Sequence, residues 1–354
     1  MHSIEQSDAQ EIIDNLGENN FQFAGKTILL VGIAGFLGKC LTNYLLRLNE
    51  TILANNPVKV VGSDTYLIGN TPLIYTDKNF TALNHDICLP FDTKLGPNDK
   101  IDYIWNMASV ASPIFYKKMP LVTLDIGYAG TKNILNLAYQ KQAKSVVLMS
   151  SSEVYGDPDE ANVPTKEEYN GNVSSVGERA CYDQSKKVLE TLGDIFYRLY
   201  NVPIKTIRPF NCFGAGMNIK DGRVLPSFIS KALNSELLPV YGLGQETRTF
   251  VYVTDFLTGL IKLSLSEYNG QIFNLGADNT GEISMVDLAN LVCKIVGNPK
   301  VKVEFLEPIS VYKKQPKRRA PDLSKVREAI GYSPKVSLEE GVRRYFEWAK
   351  TLNS

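Results

Sequence analysis

The chain has 354 residues, of which 44% are apolar and 21% charged, a soluble globular composition long enough for a large core and, by length, for two domains. Lysine plus arginine, 38, balances aspartate plus glutamate, 38, so no whole-protein field favours nucleic acid or an anionic membrane. With only His2 and His85 and five scattered cysteines (Cys40, Cys88, Cys181, Cys212, Cys293) in no CxxC pair, a histidine triad, a metal centre and a disulfide framework drop out, and base chemistry falls to tyrosine, lysine or carboxylates.

Residues 1–24 are mostly polar, with a short apolar hint at Ile12, Ile13 and Leu16, and read as an arm or short helix outside the core fold. They lack the basic start and apolar core of a signal peptide. No run of about 18 apolar residues exists, so no membrane span is expected, and reduced thiols suit the cytoplasm. From residue 25 the pattern alternates. Strands are predicted at 27–31, 58–62, 81–84, 103–107, 145–149 and 204–208, with helices at 37–48, 121–140 and 182–200 among them. Alternating strands and helices predict an α/β fold, a Rossmann-type doubly wound parallel sheet with right-handed crossovers. Residues 25–211 would carry the dinucleotide and the catalytic groups. After Asn211, glycine and proline punctuate shorter elements at 225–233, 238–241, 249–253, 255–264, 284–296, 301–305 and 338–350. Residues 212–354 therefore read as a smaller, mixed, substrate-binding region interleaved with the last elements of the sheet.

Gly32-Ile33-Ala34-Gly35-Phe36-Leu37-Gly38 follows the first predicted strand and opens the first predicted helix of this part. Glycines there let the backbone approach a pyrophosphate, and a helix N-terminus offers unpaired N–H groups. The spacing is GxxGxxG rather than GxGxxG. Asp64 closes the second strand, where a carboxylate accepts hydrogen bonds from a ribose diol. No Arg or Lys follows in Ser63-Asp64-Thr65-Tyr66, so a 2′-phosphate would meet an unneutralised carboxylate, and NAD is favoured over NADP. Asp86 and Ile87, after the third strand, are placed to meet the adenine.

Two clusters between Ser150 and Lys186 look suited to act on such a cofactor. Ser150-Ser151-Ser152-Glu153-Val154-Tyr155-Gly156 follows an apolar strand, and Tyr182-Asp183-Gln184-Ser185-Lys186 puts a phenol and an ammonium four residues apart. On a helix that spacing sets both on one face. A nearby ammonium favours the phenolate, so Tyr182 is expected to act as a base below the usual tyrosine pKa of about 10.

Further motifs extend the pattern: Ala108-Ser109-Val110-Ala111-Ser112-Pro113, Ser152-Glu153-Val154-Tyr155-Gly156-Asp157-Pro158, Gly177-Glu178-Arg179-Ala180-Cys181-Tyr182-Asp183, Asp221-Gly222-Arg223-Val224, Thr247-Arg248-Thr249-Phe250 and Arg318-Arg319-Ala320-Pro321-Asp322. With these the chain resembles the extended short-chain dehydrogenase/reductases that modify nucleotide sugars (the NAD-dependent epimerase/dehydratase family), over roughly residues 26–350. Within them the likeness is greatest to the UDP-glucuronate decarboxylases, or UDP-xylose synthases. The resemblance implies that Tyr182 takes the proton of the sugar 4-hydroxyl while NAD takes the C4 hydride, and that Lys186 holds the nicotinamide ribose. It places Ser151 and Ser152 at the sugar 4-oxygen and Glu153 beside C5 and C6. It gives Gly32, Gly35, Phe36, Leu37, Gly38, Asp64, Asp86, Ile87 and Ala108 to the cofactor, and Asn211, Arg248 and Arg319 to the diphosphate, Arg248 reaching towards the sugar carboxylate as well. Arg223 would frame the nucleotide end, and Tyr116 and Arg179 would line the sugar pocket. It also implies a homodimer formed through a four-helix bundle from the helices at 121–140 and 182–200.

Asn106, Val110, Gly127 and Gln184-Ser185 depart from the decarboxylase pattern, which carries His, Pro, Asn and Glu-Gly there. The shared first step is oxidation at C4. A ketone there makes a C5 carboxylate a β-keto acid, which loses carbon dioxide, and it also acidifies C5, which permits loss of the C6 hydroxyl. Glu153 fits both decarboxylation and 4,6-dehydration; Ser152-Glu153, where deoxythymidine-type dehydratases carry Asp-Glu, tilts the reading to decarboxylation. A 4-epimerase comes third, and a NAD-binding scaffold is a remote alternative because Tyr182 and Lys186 are both intact.

Overall fold

The computed structural model describes residues 2–68, 75–91, 94–307 and 316–352. The first residue of the 1–24 extension, and residues 308–315, 353 and 354 of the C-terminal half, lie outside the described residues.

Seven parallel strands form the centre. They are β1 (Thr27–Val31), β2 (Lys59–Asp64), β3 (Phe80–Asn84), β4 (Tyr103–Asn106), β5 (Ser145–Met149), β6 (Ile204–Pro209) and a seventh, Gln271–Leu275. The order across the sheet is β3-β2-β1-β4-β5-β6 followed by the seventh strand. β1, β4 and β5 are buried on both faces and read as apolar runs because helices cover each side. The order in which the chain adds strands reverses between β1 and β4, the switch point outside which ligands of doubly wound sheets bind.

The expected helix at 37–48 is α2, Phe36–Glu50, and the one at 182–200 is Ala180–Tyr200, capped by Asn201 in the left-handed conformation. The predicted helix at 121–140 is divided into Pro120–Asp125, a π-helical turn at Ile126–Gly130, and Thr131–Lys141. A β-carbon on Gly127 would lie 2.6 Å from the Ser185 β-carbon, and one on Gly130 would lie 2.6 Å from Ile87. Both glycines mark close packing of this helix, against the helix that carries Lys186 on one side and the loop after β3 on the other.

The N-terminal segment corrects the expectation of an arm outside the core. It folds as α1, Ser3–Leu16, whose Ile12, Ile13 and Leu16 join Phe23 in the main hydrophobic cluster with Leu41, Tyr44 and Phe256. It rests against α2 and the Val253–Leu265 helix. Burial of these apolar side chains, rather than helix propensity, explains why a polar, acidic segment is held down.

In the C-terminal half the short element expected at 249–253 is two short strands, Thr247–Arg248 and Val251–Tyr252. The first lies between Ile283–Ser284 and Arg318–Arg319 in a three-stranded sheet. Its parallel register sets Arg319 opposite Arg248. A two-stranded sheet pairs Leu238–Tyr241 with Val303–Leu306.

Candidate active site

The chain after β1 makes a backbone cradle. Gly32 has φ +85°, and a β-carbon there would lie 2.8 Å from the Ala108 nitrogen; one on Gly38 would lie 2.1 Å from the Gly32 carbonyl oxygen. Only glycine fits either position. Gly35 caps α2 with no side-chain hydrogen bond, so the first N–H groups of the helix, at Phe36, Leu37 and Gly38, are free to meet a phosphate. Asp64, at the tip of β2, accepts the N–H of Ala34 at 2.9 Å and that of Tyr66 at 2.8 Å. Two backbone donors fix its carboxylate beside the glycine turn. Asp86 accepts the Cys88 N–H at 2.9 Å, and Ile87 is buried against Gly130 with its carbonyl held by Asn133. The glycine turn approaches Ala108 and the tip of β2 at the carboxyl ends of the strands beside the switch point.

The two clusters of the 150–186 stretch meet across the tip of β5. Ser152–Tyr155 forms a single 3-10 turn capped by the Ser151 hydroxyl, which accepts the Glu153 N–H. Tyr182 and Lys186 lie on the buried face of the Ala180–Tyr200 helix. The Lys186 ammonium stands 5.6 Å from the Tyr182 ring centre and donates to the Met149 carbonyl at 2.7 Å. Tyr116 stacks on Tyr182, ring centres 5.3 Å apart and planes 17° from parallel.

The expected depression of the Tyr182 pKa is not met by the chain alone. Burial pushes the phenol up to about 12, with the Ser151 hydroxyl pulling the other way. Burial also pushes Lys186 down to about 7, opposed by Glu190. An ammonium that is itself half titrated at neutral pH stabilises a phenolate weakly. In the protein by itself, burial thus favours the phenol form of Tyr182.

Glu153 is the hub of a cationic pocket. Arg319 donates to both its oxygens, at 2.5 and 2.9 Å, and Arg179 donates to one of them. Burial would raise the Glu153 carboxyl, but the charges of Arg319 and Arg179 outweigh it and hold the pKa below the ordinary value. Arg179 also lies 3.7 Å from Asp183, whose carboxyl burial pushes up to about 6. Arg248 is buried, donates to the Thr247 carbonyl at 2.7 Å, and among the described residues has no carboxylate within ion-pair distance. Burial and then the charge of Arg319 lower its pKa. Three guanidiniums around the Glu153 and Asp183 carboxylates still leave an excess of positive charge that an anion would relieve.

The remaining expected substrate residues are more dispersed. Asn211, with φ 35°, donates to the Thr249 carbonyl at 2.8 Å. Arg223 is turned onto Asp221, its second nitrogen at 3.0 Å, and its charge reaches Tyr182. Sequence reasoning missed the polar network beneath the site: Glu190 accepts two bonds from Arg208, at 2.8 and 2.7 Å, and one from the Ser150 hydroxyl at 2.5 Å. Arg208 also donates to the Tyr155 hydroxyl, which donates to Asn274 at 2.6 Å. The available signal was an arginine inside a buried strand, Ile204–Pro209, which must find a partner.

A profile of the NAD dependent epimerase/dehydratase family matches residues 28–276. The chain belongs to that family. It is 38% identical over 330 residues to UDP-glucuronic acid decarboxylase 6 of Arabidopsis thaliana, covering 92% of this chain and 90% of that protein. UDP-glucuronic acid decarboxylase 1 of Xenopus tropicalis is 38% identical over 322 residues, 90% of this chain and 71% of its own. An epimerase structure from Methanothermobacter thermautotrophicus superposes with a TM-score of 0.80 at 26% identity, over 96% of this chain and 95% of its own. A Bacillus cereus UDP-glucuronic acid 4-epimerase, solved with UDP-glucuronic acid and NAD, gives 0.75 at 24% identity over 92% and 99%, and attests the fold. NAD is the cofactor of this family member, and the glycine cradle, the uncapped helix and the Asp64 tip fit a dinucleotide. No helix among the described residues is long and apolar enough to cross a membrane.

Proposed function

We propose that the protein is a UDP-glucuronate decarboxylase that forms UDP-xylose. The observation that carries the choice is Glu153, gripped through both oxygens by Arg319 and again by Arg179. A carboxylate so paired is a weak base, which disfavours the dehydratase reading, where Glu153 must remove the C5 proton. Decarboxylation asks for no base at C5. It asks for a place to hold a sugar carboxylate and a diphosphate, and the surplus guanidinium charge at Arg248, Arg319 and Arg179 supplies one.

In this reading NAD, bound at residues 32–38, supplies the hydride acceptor and later the hydride donor at sugar C4. Tyr182 takes the proton of the 4-hydroxyl. Lys186 and Ser151 orient the phenol and the reacting oxygen, and Ser152 lies beside them. The resulting 4-ketone is β to the carboxylate. The C5–C6 bond breaks, carbon dioxide leaves, and the electron pair spreads from C5 onto the C4 oxygen, where the Tyr182 and Ser151 hydroxyls donate. C5 then takes up one proton, and Tyr182 returns its own to the C4 oxygen as C4 regains its hydride, so the reaction is redox-neutral. Tyr116 fixes the Tyr182 ring by stacking, Asn211 and Arg223 frame the nucleotide end, and Asp86, Ile87 and Ala108 line the cofactor wall.

We assign the same protein to a homodimer in the cytoplasm. Leu121, Leu124 and Tyr128 are exposed, and a groove lies between Leu124 and Tyr128 on one helix and Val188 and Thr191 on the next. Two such helix pairs pack as a four-helix bundle. Five free thiols suit a reducing compartment. The test is to incubate the protein and NAD with UDP-glucuronate and, separately, with hexose nucleotides lacking a carboxylate. Carbon dioxide release from the first supports decarboxylation; a 4-keto-6-deoxy product from the second sinks it.

A further inference from the structure

The buried ion pair of Arg208 and Glu190 touches no substrate group, yet it closes a ring around Lys186. Glu190 follows Lys186 by one helical turn, on the same buried stripe of the Ala180–Tyr200 helix. The side chains of Glu190 and Arg208 are 11% and 8% exposed, and Arg208 comes from β6, three strands across the sheet from β1 and its glycine turn. On the other side Ser150 donates to Glu190 at 2.5 Å. Its neighbour Met149 accepts the Lys186 ammonium through its carbonyl at 2.7 Å. Lys186 is thus tied to one end of a short strand tip whose next residue is tied to Glu190. The Met149 carbonyl is the sole hydrogen-bond acceptor of the ammonium among the described residues, and a neutral carbonyl does little to offset the desolvation of a buried charge.

We propose that Glu190, clamped by Arg208 and Ser150, is the counter-charge that partly offsets burial and so raises the share of Lys186 held as an ammonium beside Tyr182, a positioning residue for the proton transfer at the sugar 4-oxygen. The inference rests on the reading of Tyr182 and Lys186 as the acting pair. Of the charged groups nearby, Glu190 is the one whose field opposes the effect of burial on Lys186. Arg208 from β6 faces Glu190, while Glu153, Asp183 and Arg223 face Tyr182 from the rest of the cleft. The clamp has a second function in this arrangement. Arg208 is bidentate to Glu190, which holds the carboxylate in one orientation and leaves it unable to swing onto Lys186 as a closed ion pair; Lys186 stays free to hydrogen-bond upward into the site.

The test is the protonation of Lys186 in the NAD-loaded full chain. Lysine is labelled with carbon-13 at Cε, and the Lys186 resonance is assigned by its absence in Lys186→Arg. Glu190→Gln should lower the Lys186 midpoint by about one pH unit, a charge–charge effect of ordinary size for a buried neighbour, and Glu190→Asp should restore most of it. The descending alkaline limb of C4 oxidation should move to lower pH by the same amount, whereas a merely structural role would lower the rate evenly at every pH. If Glu190→Gln does not fold, Glu190→Gln/Arg208→Met, which leaves no unpaired buried charge, carries the same titration. An unshifted Lys186 midpoint in the folded variant overturns the proposal. Because the titration needs no substrate, that failure is distinct from failure of the functional reading, which would appear as turnover retained in Tyr182→Phe.

Discussion

Tyr182 lies with its ring against Tyr116 and its hydroxyl facing Ser151, a setting in which a phenol can pass one proton in and out without leaving its place. Tyr182→Phe keeps the stacking and removes the proton. It should cost at least a hundredfold in turnover, the usual scale of general acid–base catalysis, while bound NAD persists by absorbance or native mass spectrometry. An active variant would overturn the mechanism. Glu153→Gln removes the charge that Arg319 and Arg179 pair with but no base that decarboxylation needs, so carbon dioxide release should persist after C4 oxidation in a single turnover; an accumulated 4-keto species with no carbon dioxide would contradict that reading. The sequence made these residues legible because each sits in a short local motif. It did not make their energetics legible: the phenol and the ammonium are both shifted by burial towards their neutral forms, and burial depends on packing partners far along the chain. Glu190 and Arg208 escaped for the same reason, being 18 residues apart on a helix and a strand.

Among the elements, the start of α2 and the whole of α1 carry the sharpest expectations. Gly38→Ala puts a β-carbon 2.1 Å from the Gly32 carbonyl, so the turn must move, and the purified variant should lose most of its NAD while remaining folded by circular dichroism. In α1, Ile12→Ala removes a side chain only 1% exposed and should cost about 2–4 kcal/mol in a urea titration; a change below about 0.5 kcal/mol would show that the helix is not part of the core. Asp8, buried in α1 beside Tyr252 and Arg344, has its carboxyl pushed by burial up to about 7. A raised carboxyl binds its proton more tightly folded than unfolded, so stability falls as pH rises from about 4 towards 7. The Tm of Asp8→Asn relative to the native protein should therefore be more favourable at pH 8 than at pH 5, and an equal difference at both contradicts the assignment. The strands of the parallel sheet were legible because they are apolar runs; the seventh, Gln271–Leu275, was not. Its first residues are open to solvent and its Asn274 serves the Tyr155 network, so neither a run nor an alternation marks it. The helix at 120–141 was legible as a helix, but its π-turn was not, because the cause is contact of Gly127 with Ser185 on another element.

At the scale of the molecule, equal numbers of basic and acidic residues conceal a local imbalance. Arg179, Arg248 and Arg319 come from three separate segments and converge only because the three-stranded sheet sets Arg319 beside Arg248 and the helix start brings Arg179 to Glu153. Motif and family likeness pointed to these residues from the sequence; their ion pairing with Glu153 was not visible there, since it spans 166 positions of chain. The exposed face of the two helices bearing Leu124 and Val188 should hold a dimer, and Leu124→Arg should shift the mass by light scattering towards the monomer. A native protein already monomeric at micromolar concentration would remove the four-helix interface. The central claim is decarboxylation at the arginine-held carboxylate, and the most direct measurement supplies UDP-glucuronate labelled at C6 to the NAD-loaded protein and counts both products. The account requires labelled carbon dioxide and UDP-xylose in equal amounts with no net NADH. A C4-epimerised product that retains the labelled carboxylate, or a 4-keto-6-deoxy sugar from an uncharged hexose nucleotide, would contradict it.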